Sequence, residues 1–137
     1  MRKTLLVSIG LMCLYALTHS CQGQDEIRKA QYYTHGHKLY TLHCENCHGS
    51  KGEGLAKLYP PLTDENYLIE NRDKLASIVK YGMEGPIEIN GVQYNTIMPG
   101  VESLSNQEIA YILTYITNSF GNEAPIFTLE EVNENLR

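Results

Sequence analysis

Cys44-Glu45-Asn46-Cys47-His48 constrains this chain more than any other stretch. Two thiols three positions apart, with an imidazole next in line, form the Cys-x-x-Cys-His attachment site of a c-type haem. Each residue type has a chemical task. The thiols of Cys44 and Cys47 add across the two vinyl groups and leave thioethers. His48 then lies under the ring and offers a nitrogen to iron. Two intervening residues let both sulfurs reach one edge of the macrocycle. A chain built on this motif has to fold around a large apolar plate.

Other uses of the pair fit less well. A thioredoxin-like redox couple sits at a helix start after a strand, and no strand pattern precedes Cys44. A zinc site needs two further ligands. The remaining cysteines, Cys13 and Cys21, fall in or beside a leader. A structural disulfide across so short a loop would constrain little.

The 137 residues predict one domain plus a leader. Arg2-Lys3 is a basic start, and Thr4 to Leu17 is mostly apolar and uncharged. That run is short for a membrane span and reads as a secretory signal, residues 1–20. A retained anchor helix is the alternative. Ser20-Cys21, followed by polar Gln22 to Glu26, resembles a bacterial lipoprotein site with Cys21 as the lipidated N-terminus. Ordinary cleavage nearby would instead release a soluble periplasmic protein. Residues 21–33 read as a polar tether and 34–137 as the folded domain with its tail. Losing Arg2 and Lys3 from 11 Lys+Arg leaves 9 against 16 Asp+Glu, a net of −7. That balance argues against nucleic acid as a partner.

Gln31 to His43 reads as a helix leading into the haem motif, with Gly36, Leu39, Tyr40 and Cys44 on one face. Gly36 either admits a closely crossing helix or marks the helix start. Gly49 to Leu58 is loop, followed by Tyr59-Pro60-Pro61-Leu62. The two prolines impose extended backbone. The Pro60 carbonyl is free to accept a hydrogen bond from the far ring nitrogen of His48. Two short helices are expected from about Asp64 to Gly82, with Leu75, Ile78 and Val79 on one face. Ile87 to Tyr94 alternates around Asn90-Gly91, a strong hairpin signal. Met98-Pro99-Gly100 then presents a thioether on a stiffened loop, a sixth iron ligand that would raise the potential. Met83 is its competitor. Ser105 and Glu108 form a capping box for a helix carrying Ile109, Ile112, Leu113 and Ile116 on one stripe and stopping near Gly121. A last turn from Thr128 is expected, with Glu131 completing a second box.

This pattern resembles class I cytochrome c. In that family a glycine, an aromatic residue and the first haem cysteine are each four apart, as are Gly36, Tyr40 and Cys44. Ile112 and Tyr115 match the pair on the family's terminal helix that crosses the first helix near its glycine. Pro60 matches the proline whose carbonyl holds the ligand histidine, and Met98 matches the distal ligand. The resemblance spans about residues 34–121. It is nearest to bacterial monohaem domains attached to copper nitrite reductases, quinoprotein dehydrogenases or terminal oxidases, through Gly85-Pro86 to Pro99 and Asn118-Ser119-Phe120-Gly121-Asn122.

The resemblance implies an all-α fold, with N- and C-terminal helices crossing around one covalent haem c and a small β-hairpin before Met98. It implies an exported electron carrier rather than an enzyme, with redox proteins as partners and no small-molecule substrate. Two alternatives stay open. One is a haem subunit of a larger oxidoreductase complex. The other is a ligand-binding or catalytic haem protein, which needs an open sixth position. His35, His37 and His43 lie near the proximal helix and read as surface residues.

Overall fold

The computed structural model describes the backbone of residues 2–137 and the side chains of residues 23–137. The leader and Cys21 lie outside the residues whose side chains are described. Among the described residues, no helix is long and apolar enough to cross a membrane. The chain divides into two compact units, Met1–Gln31 and Tyr32–Arg137.

Helix α1 (Arg2–His43) is already helical upstream of Gln31, where the sequence led to a polar tether. The residues explain the difference. Gln24, Glu26, Arg28, Lys29 and Ala30 are good helix formers. Asp25 and Arg28 also pair at 3.0 Å, one turn apart. Gly36 is therefore interior to a helix, not its start.

The second unit is mostly helical. After α1 come α2 (Glu45–His48), α3 (Glu65–Glu70), α4 (Arg72–Tyr81), α5 (Asn106–Ile116) and α6 (Leu129–Asn135). Two small antiparallel ladders interrupt the helices. Strands β2 (Ile87–Ile89) and β3 (Val92–Tyr94) form the expected hairpin. Asn90 and Gly91 both take positive φ, 51° and 74°. That is the geometry a two-residue turn needs to match strand twist. Asp64 caps α3 through Tyr67 N at 3.1 Å. Its other oxygen accepts from Asn90 N at 3.1 Å, so one carboxylate also holds the hairpin tip. The second ladder joins β1 (Gly82–Met83) to β4 (Met98–Pro99) and had no counterpart in the sequence reading.

Helix α5 is the centre of the core. Ile109 and Ile112 are fully buried, and Leu113 nearly so. Its capping box forms as expected: Ser105 Oγ accepts from Glu108 N, and Glu108 Oε2 accepts from Ser105 N. The helix stops at Ile116, short of Gly121. Thr117 Oγ1 and Asn118 Nδ2 donate to the Leu113 and Thr114 carbonyls at 2.8 and 3.0 Å. Those side-chain bonds close the helix end before the chain turns through Phe120.

The tail departs from expectation at Glu131. Thr128 does cap α6, through Glu131 N at 3.1 Å. The Glu131 carboxylate does not complete a second box. It takes both Arg72 Nε and Nη2, at 2.7 and 3.0 Å. Arg72 also lies 3.7 Å over the Phe127 ring and reaches the Ile126 carbonyl. A bidentate, partly shielded guanidinium outcompetes the exposed cap for the Glu131 carboxylate.

The α1–α5 crossing is set by Gly36. A Cβ built there would overlap the Tyr111 carbonyl oxygen and come within 2.7 Å of Tyr115 Cβ. Around this point Tyr40 meets Tyr115 at 5.2 Å between ring centres, and Tyr32 meets Tyr111 edge-on at 4.7 Å. Gly36→Ala gains helix propensity of about 1 kcal/mol. It must also push one backbone off another, and overpacking costs about 1–3 kcal/mol. Steric cost should win, because a backbone oxygen cannot rotate away. A lower guanidinium midpoint for the variant is the expected result; an unchanged or higher midpoint would contradict the crossing.

Candidate haem site

Helix α1 delivers Tyr40 to the start of the motif, and the chain then tightens into the single turn α2. The amides of Cys47 and His48 both bond to the Cys44 carbonyl. This turn puts Cys44, Cys47 and His48 on the wall of one cavity. Tyr40 locks the turn from behind: its hydroxyl donates to the Gly49 carbonyl at 2.6 Å. Its ring is 1% exposed, and burial pushes the phenol's pKa up.

The loop from Gly49 to Leu62 folds back on itself. Gly54 N donates to the His48 carbonyl at 2.8 Å, and Leu62 N to the Gly52 carbonyl at 2.8 Å. Asn122, after α5, ties this loop down by donating to the Leu62 carbonyl at 2.8 Å. The result brings the Pro60 carbonyl to 2.9 Å from His48 Nδ1. A carbonyl can only accept, so Nδ1 carries the hydrogen and Nε2 keeps its lone pair. Burial holds the His48 pKa below the ordinary imidazole range, while the Pro60 bond acts in the opposite direction. The ring is thus neutral, oriented and competent as a ligand.

Met98 lines the same cavity. Its strand is hung from the end of α4. Met98 pairs with Met83 and Pro99 with Gly82. Val101 N donates to the Val79 carbonyl at 3.0 Å, and Lys80 Nζ to the Glu102 carbonyl at 2.7 Å. The remaining wall is largely apolar, including Leu68, Leu75, Ile78, Val79, Leu113 and Ile116. Two hairpin isoleucines, Ile87 and Ile89, complete it, so the hairpin is part of the cavity wall.

The structure therefore gathers Cys44, Cys47, His48, Pro60 and Met98 at one place. His43 reaches the rim, and His35 and His37 do not line the cavity; all three are exposed. Sequence reasoning missed Tyr59, Tyr67 and Tyr94 in the lining. Tyr94 alternates with Val92 in the hairpin pattern, and that signal could have found it. Tyr59 and Tyr67 carry no such signal.

The donor set fits a covalently held haem. Two thiols lie on one turn, a neutral imidazole has a free Nε2, a thioether is available, and the walls between them are apolar. Burial pushes the Cys44 thiol up to about 12, with Cys47 adding to the shift.

His48 also sets an acid limit. In the unfolded chain a histidine titrates near ~6.5, and in the fold its pKa is lower. Below that pH the unfolded chain takes up a proton that the fold does not. Stability should fall as pH drops through about 6.5 toward the lower folded-state pKa, by at most ~1.4 kcal/mol per pH unit. Guanidinium midpoints across that window check this, and a flat profile would contradict it.

The sequence model of the Cytochrome c family matches residues 33–119. The chain is 32% identical over 108 residues to cytochrome c-552 of Thermus thermophilus, covering 72% of this chain and 82% of that protein. It is also similar to cytochrome c subunits of alcohol dehydrogenase (quinone). The subunit of Gluconacetobacter polyoxogenes is 35% identical over 92 residues, covering 66% of this chain and 19% of the subunit. That of Gluconobacter oxydans is 30% identical over 111 residues, covering 75% and 23%. With this match laid over a helical fold that closes around a Cys-x-x-Cys-His cavity, the chain belongs to the cytochrome c family, electron carriers that bind haem c covalently.

Proposed function

We propose that this chain is an exported single-electron carrier with one haem c, held by thioethers at Cys44 and Cys47 and ligated by His48 and Met98. The observation that carries the reading is the convergence of these four side chains on one apolar cavity, with His48 Nδ1 committed to Pro60 at 2.9 Å. The haem supplies one-electron exchange between ferric and ferrous iron. The protein does the rest. Cys44 and Cys47 fix one edge of the ring. Pro60 keeps the His48 imidazole in one tautomer and one orientation. The Met98 thioether favours ferrous iron and raises the potential. Leu68, Val79 and Ile116 keep the surroundings apolar, which favours the less charged ferrous site. With His48 and Met98 both held to the iron, electron exchange would need little rearrangement of the protein.

Residues 1–20 act as the export signal, with Cys21 a lipid anchor and 21–33 the linking segment. Redox proteins are the partners. A second reading is a haem subunit of a larger oxidoreductase assembly. The alcohol dehydrogenase (quinone) cytochrome c subunits favour it, although the chain spans only 19–23% of their length.

Three measurements test the proposal. Cys44→Ser/Cys47→Ser should render the haem extractable by acidified organic solvent, whereas wild-type haem stays with the chain. The ferric protein should show the weak red band of sulfur-ligated iron. Met98→His should replace that band with a two-imidazole spectrum and lower the potential. A high-spin wild type that binds carbon monoxide readily would sink the His–Met reading. For the anchor, mass spectrometry of the mature N-terminus should find a lipidated Cys21; an unmodified terminus at or beyond it removes the anchor.

A further inference from the structure

Met83 faces Met98 directly across the two-residue ladder between β1 and β4. Residues directly opposed on an antiparallel pair project to the same face, with Cα atoms ~4.5–5.5 Å apart. Both side chains are half-buried, and both line the haem cavity. Two thioethers therefore stand side by side on the wall of the cavity that His48 also lines.

From this we infer that Met83 is a reserve sixth ligand, which takes the iron when Met98 leaves it. The inference rests on the reading of Met98 as the distal ligand. Three features support it. The methionine side chain has three rotatable bonds, enough to redirect its sulfur across a distance of the order of one strand spacing. The segments bearing the two sulfurs also differ in freedom. Around Met98 the chain is pinned: a Cβ on Gly100 would overlap the Tyr81 backbone, and Val101 N is bonded to Val79. After Met83, Glu84, Gly85 and Pro86 are exposed, and a Cβ on Gly85 would meet nothing within 4 Å. Met83 thus has slack on its C-terminal side, while the ladder keeps it facing the cavity. Finally, the side chains around it offer no competing histidine: His35 and His37 lie outside the cavity, and His43 is on the chain that carries the proximal turn.

The exchange is a plain ligand substitution. One sulfur–iron bond breaks, another forms, and no electron or proton is transferred. A protein built this way keeps sulfur ligation, and with it a high potential, when Met98 is lost to oxidation or mutation.

The test uses the haem-loaded protein and reads the red sulfur-to-iron band of the ferric form. Met83→Leu, which conserves volume, should leave the band in place. Met98→Ala should retain a sulfur band at a shifted position. Adding Met83→Leu to Met98→Ala should abolish it and leave a high-spin iron that binds carbon monoxide. If Met98→Ala does not fold, Met98→Leu replaces it in both steps. Loss of the band in Met98→Ala alone overturns the reserve ligand and leaves the His–Met reading standing. A band that survives in the double variant overturns both, because the sulfur would then come from neither residue.

Discussion

Backbone contact between helices α1 and α5 at Gly36 is the constraint on which the site depends. Side-chain packing alone keeps helix axes about 8–10 Å apart. Removing one Cβ lets the Tyr111 carbonyl sit against the α1 backbone. That approach packs Tyr40 against Tyr115 with tilted rings and aims the Tyr40 hydroxyl at Gly49. The turn from Cys44 to His48 therefore inherits its position from a crossing eight residues upstream. Aromatic area supplies the affinity of the contact, and the glycine sets its distance.

The two sides of the cavity are held by different means. On the His48 side, a loop closed by its own amides and by Asn122 presents one carbonyl to one ring nitrogen. On the Met98 side, two ladder pairs and a few bonds to the end of α4 hang a strand over the opening. The tail braces the assembly from outside. Arg72 at the start of α4 grips Glu131 and Phe127, while Phe127 N donates to Thr114 at 2.9 Å. Arg72 and Thr114 lie within the residues that match the family, and Phe127 and Glu131 beyond them, so the brace ties the C-terminal segment to the matched fold.

Much of this was legible before the structure. The motif, the Gly36–Tyr40–Cys44 spacing, the capping box and the Asn-Gly hairpin are local signals, each tied to a backbone geometry that few residues permit. Pro60 could be matched to His48 because a proline-stiffened segment leaves its carbonyls free. What stayed hidden was non-local. The β1–β4 ladder is two residues long on each side, too short to show alternation. Glu131 has the spacing of a capping residue, and only the folded neighbourhood reveals a guanidinium that binds it better. The helical start of α1 upstream of Gln31 rests on the propensity of polar helix formers, which hydrophobic periodicity does not register. The end of α5 depended on Thr117 and Asn118 bonding back to carbonyls, a choice that periodicity does not register.

The same crossing dictates an order of events in the making of the protein. Gly36 and Tyr111 are far apart along the chain, and loop-closure entropy makes such a contact late compared with a hairpin or a capped helix. Once it closes, Cys44 is half-buried in the cavity wall and its thiol is raised to about 12, which leaves little thiolate at neutral pH. A sulfur in that state is a poor nucleophile. Closure of the helix pair therefore leaves the Cys44 thiol less readily ionised than it is in the open chain.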